Sequence, residues 1–410
     1  MPPLSRTFHA LSRIAFTATL SLSLPLFTLP SALAQATQQP TPAAAAPSPV
    51  KRAAVGDAPD DPGPLAHGLS PKLKSPAIRD AMKKVADWQL RVAEPKFNSQ
   101  WTFAALYDGF LAASATTGDP AYRDAVFHYA EQQQWKLIGN RFPHADDMAL
   151  AKAYLEIYLS EPPAERKPEQ IADTKAILDR LIARPDDPAK NLWWWADALY
   201  MAPPVLVRMA QITGDHKYID YLNTNWQRTS GLLYDKQEHL YARDATYLDK
   251  HEQNGARLFW SRGNGWVLGG LARVLAYMPP NYPSRDRYVA QFRQMVDAVA
   301  AIQGADGLWR SGLLDAGAYP YPEVSGSAFF TFAIAWGINA GLLDRKTYEP
   351  VVTRAWKGLL GHVYADGRLG SIQRIGGAPA TLNPGGSWVY GVGAFLLAGE
   401  ELDKLSRHPK

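Results

Sequence analysis

A long succession of helical segments is the feature that most constrains the fold of this 410-residue chain. Apolar residues recur at helical spacing, with turn-forming residues at the ends, in twelve segments. They lie near residues 75–92, 99–117, 119–136, 145–160, 167–184, 197–213, 215–229, 262–277, 284–303, 324–342, 345–362 and 387–405. Strand signals are short and fall in the loops, at 232–234, 307–311 and 368–373. The pattern therefore predicts an all-α fold.

Recurrent turns indicate how these helices are arranged. The stretch TTGDPAYRDA at 116–125 resembles ITGDHKYIDY at 212–221, and GLLDRKTYEP at 341–350 is a looser third copy. A second, shorter turn with a Ser-Gly or Asp-Gly pair also recurs. Two alternating turns between twelve helices predict six helical hairpins closed into a ring, an (α/α)6 barrel. An open helical solenoid is the alternative, and it would present a long groove where a ring presents one deep funnel.

The first 68 residues differ from the rest of the chain. Residues 1–34 have a basic start, an apolar stretch interrupted by prolines and a final Ala-Leu-Ala, which is typical of a cleaved signal peptide. An uncleaved membrane anchor is the alternative. Residues 35–68 are rich in Pro, Ala and Gly, which predicts a disordered linker. We therefore expect an exported protein, periplasmic or extracellular and free of the membrane, whose barrel domain spans residues 69–406.

Composition excludes several classes of site and partner. The chain has 0 cysteines, so it has no disulfide and no thiolate metal site. Its formal net charge of +4 falls to +2 without residues 1–34, because that segment holds two arginines and no acid. This charge is too small and too scattered to indicate nucleic-acid binding. The 9 histidines lack zinc-motif spacing, so we expect no metal and no cofactor. The oligomeric state stays open.

The stretch LWWWADALYMAPP at 192–204 places Asp197 between three tryptophans and an apolar run. A carboxylate in such surroundings loses water, which raises its pKa and suits it to act as an acid catalyst. The alternative is a core segment in which Asp197 only caps a helix. Trp195 and Met201, on either side of Asp197, are candidate substrate contacts.

A second acidic site opens the segment PHADDMALAKAYLEIY at 143–158, where Asp146 and Asp147 are adjacent. Capping of a helix N-terminus explains one aspartate well. It explains two poorly, because one side chain must point elsewhere. We therefore expect at least one of them to take part in a functional site.

The segment RLFWSRGNGWVLGGLARVL at 257–275 combines a cation with an indole. Arg262 and Trp266 are four residues apart, so they share one face of the predicted helix. Such a pair suits a sugar acid, since the guanidinium binds a carboxylate and the indole stacks on a ring. A surface cation–π pair is the alternative. Arg243 and Asp244, in the preceding loop, are further candidates unless they form only a solvated ion pair.

Two later helix starts carry polar or aromatic residues. Glu323 and two serines precede a wholly apolar segment, so at least one of the three is expected to cap it. Trp388 opens the last predicted helix. In a barrel it would lie at the mouth of the funnel, which makes it another candidate substrate contact.

The motifs FWSRGNGWV, WWWADALYMAPP, the ADD helix start and PEVSGSAFFTFAIAWGI together resemble those of the unsaturated rhamnogalacturonyl hydrolases, glycoside hydrolase family 105. They resemble the unsaturated glucuronyl hydrolases of family 88 more distantly. The resemblance extends over about residues 70–405 and implies an (α/α)6 barrel. It also implies a substrate oligosaccharide whose terminal galacturonyl or glucuronyl residue carries a C4=C5 double bond left by a lyase. In this family the enzyme hydrates the enol ether, and the resulting hemiketal opens and releases the next sugar.

The same resemblance implies roles for individual residues. Asp197 would protonate C4 and then help deprotonate the water that attacks C5, and Asp146 or Asp147 would be a second active-site carboxylate. Arg262 and Trp266 would hold the uronate and its ring.

One position departs from the family pattern. Some members carry a histidine in the loop before SRGNGW, where this chain reads YARD at 241–244, with His251 nearby. Two other interpretations of the chain stay open. One is an inverting glycosidase or polysaccharide lyase with the same fold, and the other is an oligosaccharide-binding protein without activity.

Overall fold

The computed structural model describes residues 62–408 and forms thirteen α-helices over that range. They are α1 (Ser75–Ala93), α2 (Trp101–Thr117), α3 (Ala121–Gln132), α4 (Ala151–Ser160), α5 (Glu169–Ile182), α6 (Ala198–Met201), α7 (Pro203–Thr213), α8 (Lys217–Leu233), α9 (Ser261–Tyr277), α10 (Arg285–Ala301), α11 (Val324–Asn339), α12 (Arg345–Leu360) and α13 (Val389–Arg407). Short 3-10 turns lie at Glu94–Lys96, Ala145–Met148, Ala245–Tyr247 and Ala316–Ala318. The predicted signal peptide, and the linker before residue 62, lie outside the described residues.

The helices form two concentric rings. Helices α2, α4, α6 with α7, α9, α11 and α13 each pack against the next, and α13 packs against α2. The remaining helices pack on the outside of this closed inner ring. The (α/α)6 barrel is therefore confirmed, and the open solenoid is excluded. The predicted helix 197–213 is divided into α6 and α7 at Ala202, because two prolines follow and lack the N–H that would continue the hydrogen bonding.

Small residues let the first and last inner helices approach closely enough to complete the ring. Inner helix α11 is apolar and buried on all sides, whereas outer helix α1 is buried on one face only. Where the first and last inner helices meet, Gly109 of α2 contacts Gly393 of α13. A side chain on Gly393 would collide with the backbone oxygen of Ala105. Backbone contact without side chains is thus what closes the ring.

The repeated sequence motif has a structural meaning. In each copy a glycine ends an inner helix with a positive φ, at Gly118 (78°), Gly214 (71°) and Gly341 (69°). The tyrosine of each copy donates a hydrogen bond to an aspartate on the preceding outer helix. These pairs are Tyr122–Asp87, Tyr218–Asp179 and Tyr348–Asp297. The motif therefore marks the same junction between hairpins three times.

The predicted linker 35–68 is wrong for its last residues. The Ala66 N–H donates to the Val363 carbonyl at 2.8 Å, and the Ala365 N–H donates to the Pro64 carbonyl at 2.9 Å. Leu65 forms an antiparallel bridge with Tyr364. Residues 62–66 are thus held by backbone hydrogen bonds, which a composition rich in Pro and Gly does not reveal.

The predicted strands are isolated bridges in the part of the chain that the structure describes. Each predicted strand contributes one of them: Tyr234 with Tyr241, Arg310 with Pro322, and Leu369 with Val363. No helix between residues 62 and 408 is both long enough and apolar enough to cross a membrane.

Candidate active site

The inner helices begin at one end of the barrel, which we call the N-terminal mouth. Their C-terminal halves line a cavity of about 840 Å³ at the opposite end. Its lining includes Asp108, Glu156, Arg208, Arg273, Trp336 and Glu400. The residues that the sequence singled out are not part of this lining in the described chain. They lie instead in the segments leading into the inner helices, so the candidate active site is at the N-terminal mouth.

Asp197 lies at the N-cap position of α6, but its side chain makes no capping hydrogen bond to the described residues. Its Oδ1 atom is buried and has no hydrogen-bond partner in the same part of the chain. Burial raises the pKa of Asp197 to about 6, an effect that Arg243 and Arg262 oppose and Asp146 reinforces. Capping therefore does not explain this carboxyl, and its pKa is raised, as the sequence predicts.

Asp146 lies in the 3-10 turn before α4 and is partly exposed. Burial raises its pKa to about 6, which Arg141 opposes and the adjacent Asp147 reinforces. Because Asp146 also raises the pKa of Asp197, the two carboxyls are close enough to influence each other's protonation. The mouth thus contains two carboxyls that titrate near pH 6.

Asp147 has a different environment from its neighbour. It is buried and accepts hydrogen bonds from the Arg141 backbone N–H at 3.1 Å and the Arg141 Nε at 2.8 Å. The oxygens of Asp147 are thus occupied in fixing the loop before α4. Of the two adjacent aspartates, Asp146 is therefore the one that the hydrogen bonds of this loop leave available.

Arg243 is a partly exposed cation whose charge acts on both Asp197 and Asp146. Its backbone carbonyl accepts a hydrogen bond from the Ala196 N–H at 2.8 Å, which places its loop alongside the segment that leads to Asp197. Its guanidinium donates to Asp244 at 2.6 Å, while its Nε has no partner among the described residues. The side chain is 23 % exposed and interacts electrostatically with Asp197 and Asp146. Arg243 can therefore offer donors to an anionic ligand beside both carboxyls, with Asp244 orienting it.

The prediction that Arg262 binds substrate conflicts with its position. Its side chain is 1 % exposed, and its terminal nitrogens donate to the backbone carbonyls of Gln373 at 3.0 Å and Arg374 at 2.9 Å. The guanidinium also lies 4.4 Å from the Trp260 ring and 3.9 Å from Glu323. Arg262 thus supports the loop at 373–374, and its charge lowers the pKa of Asp197.

Trp266 and Met201 also need correction as substrate contacts. Trp266 is 0 % exposed, with its ring 4.8 Å from Tyr200 and 4.4 Å from Phe329. Met201 is 1 % exposed. The four-residue spacing did place Arg262 and Trp266 on one face of α9, but that face points into the apolar interior of the ring.

Aromatic residues of the mouth contact one another at tilted angles. The Trp195 ring lies 4.6 Å from His144 and 4.8 Å from Trp194. Trp195 is almost buried, whereas Trp194 is 47 % exposed. Trp388 is partly exposed and stacks on Tyr390, with ring centres 6.0 Å apart.

Sequence reasoning missed two members of this site, His144 and Trp194. His144 could have been found from its place two residues before Asp146, since its Nδ1 accepts the Asp146 N–H at 3.3 Å. It is the histidine beside the carboxyls, while His251 is exposed in a separate loop. Glu323 caps α11, as predicted, by accepting the N–H groups of Ser325 and Gly326.

Comparison with known proteins agrees with this architecture. The model of Glycosyl Hydrolase Family 88 matches residues 76–406. An unsaturated 3S-rhamnoglycuronyl hydrolase from Formosa agariphila is 40% identical, over 81% of this chain and 92% of the relative.

Solved structures show the same fold. A family 88 glycosyl hydrolase from Bacteroides vulgatus is 30% identical with a TM-score of 0.75, covering 81% of this chain and 99% of its own. A polysaccharide lyase is 32% identical with a TM-score of 0.76, covering 82% and 99%. Structures of family 105 members share the fold as well.

Proposed function

Because this chain belongs to glycosyl hydrolase family 88, we propose that its N-terminal mouth removes a terminal 4,5-unsaturated uronic acid from lyase-generated oligosaccharides. The observation that carries this proposal is Asp197, whose Oδ1 atom is buried without a hydrogen-bond partner between residues 62 and 408 and whose pKa is raised to about 6. The relative from Formosa agariphila is named for a rhamnoglycuronyl substrate. We therefore propose rhamnose as the sugar next to the uronate in this chain's substrate.

The first step is protonation of carbon. The protonated carboxyl of Asp197 donates its proton to C4, and the electron pair of the C4=C5 bond forms the new C–H bond. Positive charge then develops at C5 and is shared with the ring oxygen. The Asp197 carboxylate accepts a proton from the water that attacks C5, so the residue returns to its starting state. A pKa near 6 suits both halves of this exchange.

The remaining steps follow from the hemiketal at C5. The bond between C5 and the ring oxygen breaks, which leaves a ketone at C5 and a hydroxyl on C1. The resulting hemiacetal at C1 then collapses to an aldehyde and releases rhamnose with its hydroxyl. No nucleophile displaces the leaving group at C1, so the paired carboxylates of ordinary glycosidases are not required.

Arg243 is the residue we propose for the uronate carboxylate. It has a partly exposed guanidinium beside Asp197 and an Nε without a partner in the described chain, whereas the terminal nitrogens of Arg262 are already bonded to backbone. Arg243 lowers the pKa of Asp197, and a substrate carboxylate bound to Arg243 would offset this effect. The protonated form of Asp197 would then be favoured. Asp146 raises the pKa of Asp197 and so acts in the same direction.

A polysaccharide lyase is the second candidate, because one solved structure of that class is 32% identical to this chain. Ultraviolet absorbance of the enol ether separates the two reactions. Hydration consumes the C4=C5 bond, whereas lysis of an intact polymer creates it. We expect absorbance to fall on unsaturated glucuronyl- or galacturonyl-rhamnose and to stay constant on the polymer. A rise on the polymer, or no change on either disaccharide, would overturn the proposal.

We also propose that the protein is exported, to the periplasm or beyond. The support is the sequence of residues 1–34, with its basic start and final Ala-Leu-Ala. The mass of the protein recovered from an expressing bacterium tests this. Loss of residues 1–34 is expected, and an uncleaved chain in the cytoplasm would contradict it.

A further inference from the structure

We propose that Trp194 forms a stacking platform for the sugar on the reducing side of the uronate, and so contributes to substrate choice. This inference rests on the proposed function, because it assumes that a uronate occupies the site beside Asp197. It adds a second binding position to the mouth, one that recognises the sugar that leaves.

The exposure of Trp194 is unusual within this protein. Its surface is 47 % exposed, although the other tryptophans at helix starts, such as Trp195 and Trp260, are nearly buried. Trp194 contacts Arg243 and Trp195, but a large part of its indole stays open to solvent. A tryptophan has much apolar surface to lose from water, so such exposure indicates a ligand contact more strongly than an exposed leucine does.

Trp194 is also held in place, which a platform requires. Its ring lies 4.8 Å from that of Trp195, which in turn lies 4.6 Å from His144. The next residue pair along the chain is fixed to the neighbouring loop, through the bridge of Trp195 with Asp244 and the Ala196 N–H bond to Arg243. Little conformational freedom is then lost when a sugar binds.

The position of Trp194 fits the sugar next to the uronate. The Arg243 guanidinium lies 5.4 Å from the Trp194 ring centre, and the same guanidinium interacts electrostatically with Asp197 and Asp146. If Arg243 holds the uronate carboxylate, the exposed indole of Trp194 lies next to that carboxylate. The rest of the oligosaccharide extends toward solvent, and Trp194 offers it an exposed aromatic surface.

The chemistry of an indole suits this occupant. One face of a pyranose consists mainly of C–H groups, which pack against an aromatic face. Rhamnose adds a methyl group at C6 in place of a hydroxymethyl group, so it buries more apolar surface in such a contact. The platform therefore favours a deoxy sugar over one with a hydroxyl at that position.

Two substrates distinguish stacking of the leaving sugar on Trp194 from an effect of Trp194 on the reaction in general. The first is unsaturated glucuronyl-rhamnose, and the second is the methyl glycoside of the same unsaturated uronate, which has no sugar to stack. For Trp194→Ala we expect kcat/KM to fall about tenfold on the disaccharide, mainly through KM, a factor that corresponds to about 1.4 kcal/mol. On the methyl glycoside the variant should match the wild type. Trp194→Phe should recover most of the loss.

Trp336→Ala is the matched control, because Trp336 lines the cavity at the opposite end of the barrel. It should leave the ratio between the two substrates unchanged. Equal effects of Trp194→Ala on both substrates, or none on either, would refute the platform. If the wild type turns over neither substrate, the proposed function fails instead, so the two failures are distinguishable.

Discussion

Asp197 keeps a buried carboxyl oxygen without a hydrogen-bond partner in the described chain, which costs stability in a residue with a purely structural role. Burial also raises its pKa to about 6, so the folded protein binds this proton more tightly than the unfolded chain does. The free energy of unfolding then decreases as pH rises from the ordinary aspartate value toward 6. A site that is retained at such a cost is expected to serve the reaction.

Asp197→Asn tests directly whether this carboxyl lowers stability and serves the reaction. The variant cannot donate a proton, so we expect kcat to fall by about 10²- to 10⁴-fold on an unsaturated uronyl disaccharide. Because asparagine carries no charge to bury, the variant should unfold at the same temperature as the wild type at pH 7, or at a higher one. Kinetics and thermal unfolding of the same sample measure both effects.

Asp147→Asn is the matched control for that experiment. It weakens the hydrogen bonds from Arg141, so it should lower the free energy of unfolding by about 1–3 kcal/mol while the folded enzyme keeps most of its kcat. If Asp147→Asn abolished turnover and Asp197→Asn did not, the assignment of the acid would be wrong.

The charges around Asp197 predict opposite shifts of the pH profile. Activity requires the protonated acid, so kcat/KM should fall as pH rises through about 6. Asp146→Asn removes a charge that raises the pKa of Asp197, so the fall should move to lower pH. Arg243→Gln removes a charge that lowers it, so the fall should move to higher pH, in addition to weaker substrate binding. Shifts in the same direction for both variants would contradict this electrostatic account.

The sequence predicted which residues gather at the mouth better than it predicted where they point. The raised pKa of Asp197 followed from the aromatic and apolar residues beside it in the sequence. The position of Arg262 did not, because its partners at 373–374 are more than a hundred residues away in the chain. Similarly, Asp147 differs from Asp146 in its burial and in its hydrogen bonds from Arg141, neither of which the sequence shows.

At the scale of elements, helical spacing was sufficient to predict both rings. The inner and outer helices differ in how much of their surface is apolar, and many of them end close to a glycine or proline. The break between α6 and α7 was less certain from sequence, since two adjacent prolines are compatible with either a kink or a new helix.

The contact between α2 and α13 gives a prediction at this scale. Gly393→Ala would force a methyl group against the Ala105 carbonyl, so the two helices must separate. We expect a loss of about 1–3 kcal/mol in the free energy of unfolding, measured by urea denaturation. Gly231→Ala in α8 is the control, because open space surrounds Gly231. It should be neutral or slightly stabilising, and an equal loss in both variants would contradict the importance of this contact.

At the scale of the whole molecule, the segment before the first helix packs against a loop of the barrel. Residues 62–66, which composition had assigned to a disordered linker, form backbone hydrogen bonds with residues 363–365. The reason is that a backbone with few large side chains can still form bridges when a loop offers free donors and acceptors.

Two truncated chains test that contact. One begins at Pro62 and the other at Leu69, so they differ only in residues 62–68. The shorter chain should unfold at a lower temperature, because it loses the hydrogen bonds of Pro64 and Ala66. Identical unfolding temperatures would show that the segment contributes nothing to the barrel.

The most direct test of the central claim, that the mouth hydrates a C4=C5 bond, is a proton NMR time course of unsaturated glucuronyl-rhamnose with the enzyme in D2O. We expect the vinyl signal of C4 to disappear at the rate at which rhamnose is released, and the product to carry deuterium at C4. Release of rhamnose while the vinyl signal persists would rule out hydration, because the bond would then have been broken by displacement at the anomeric carbon.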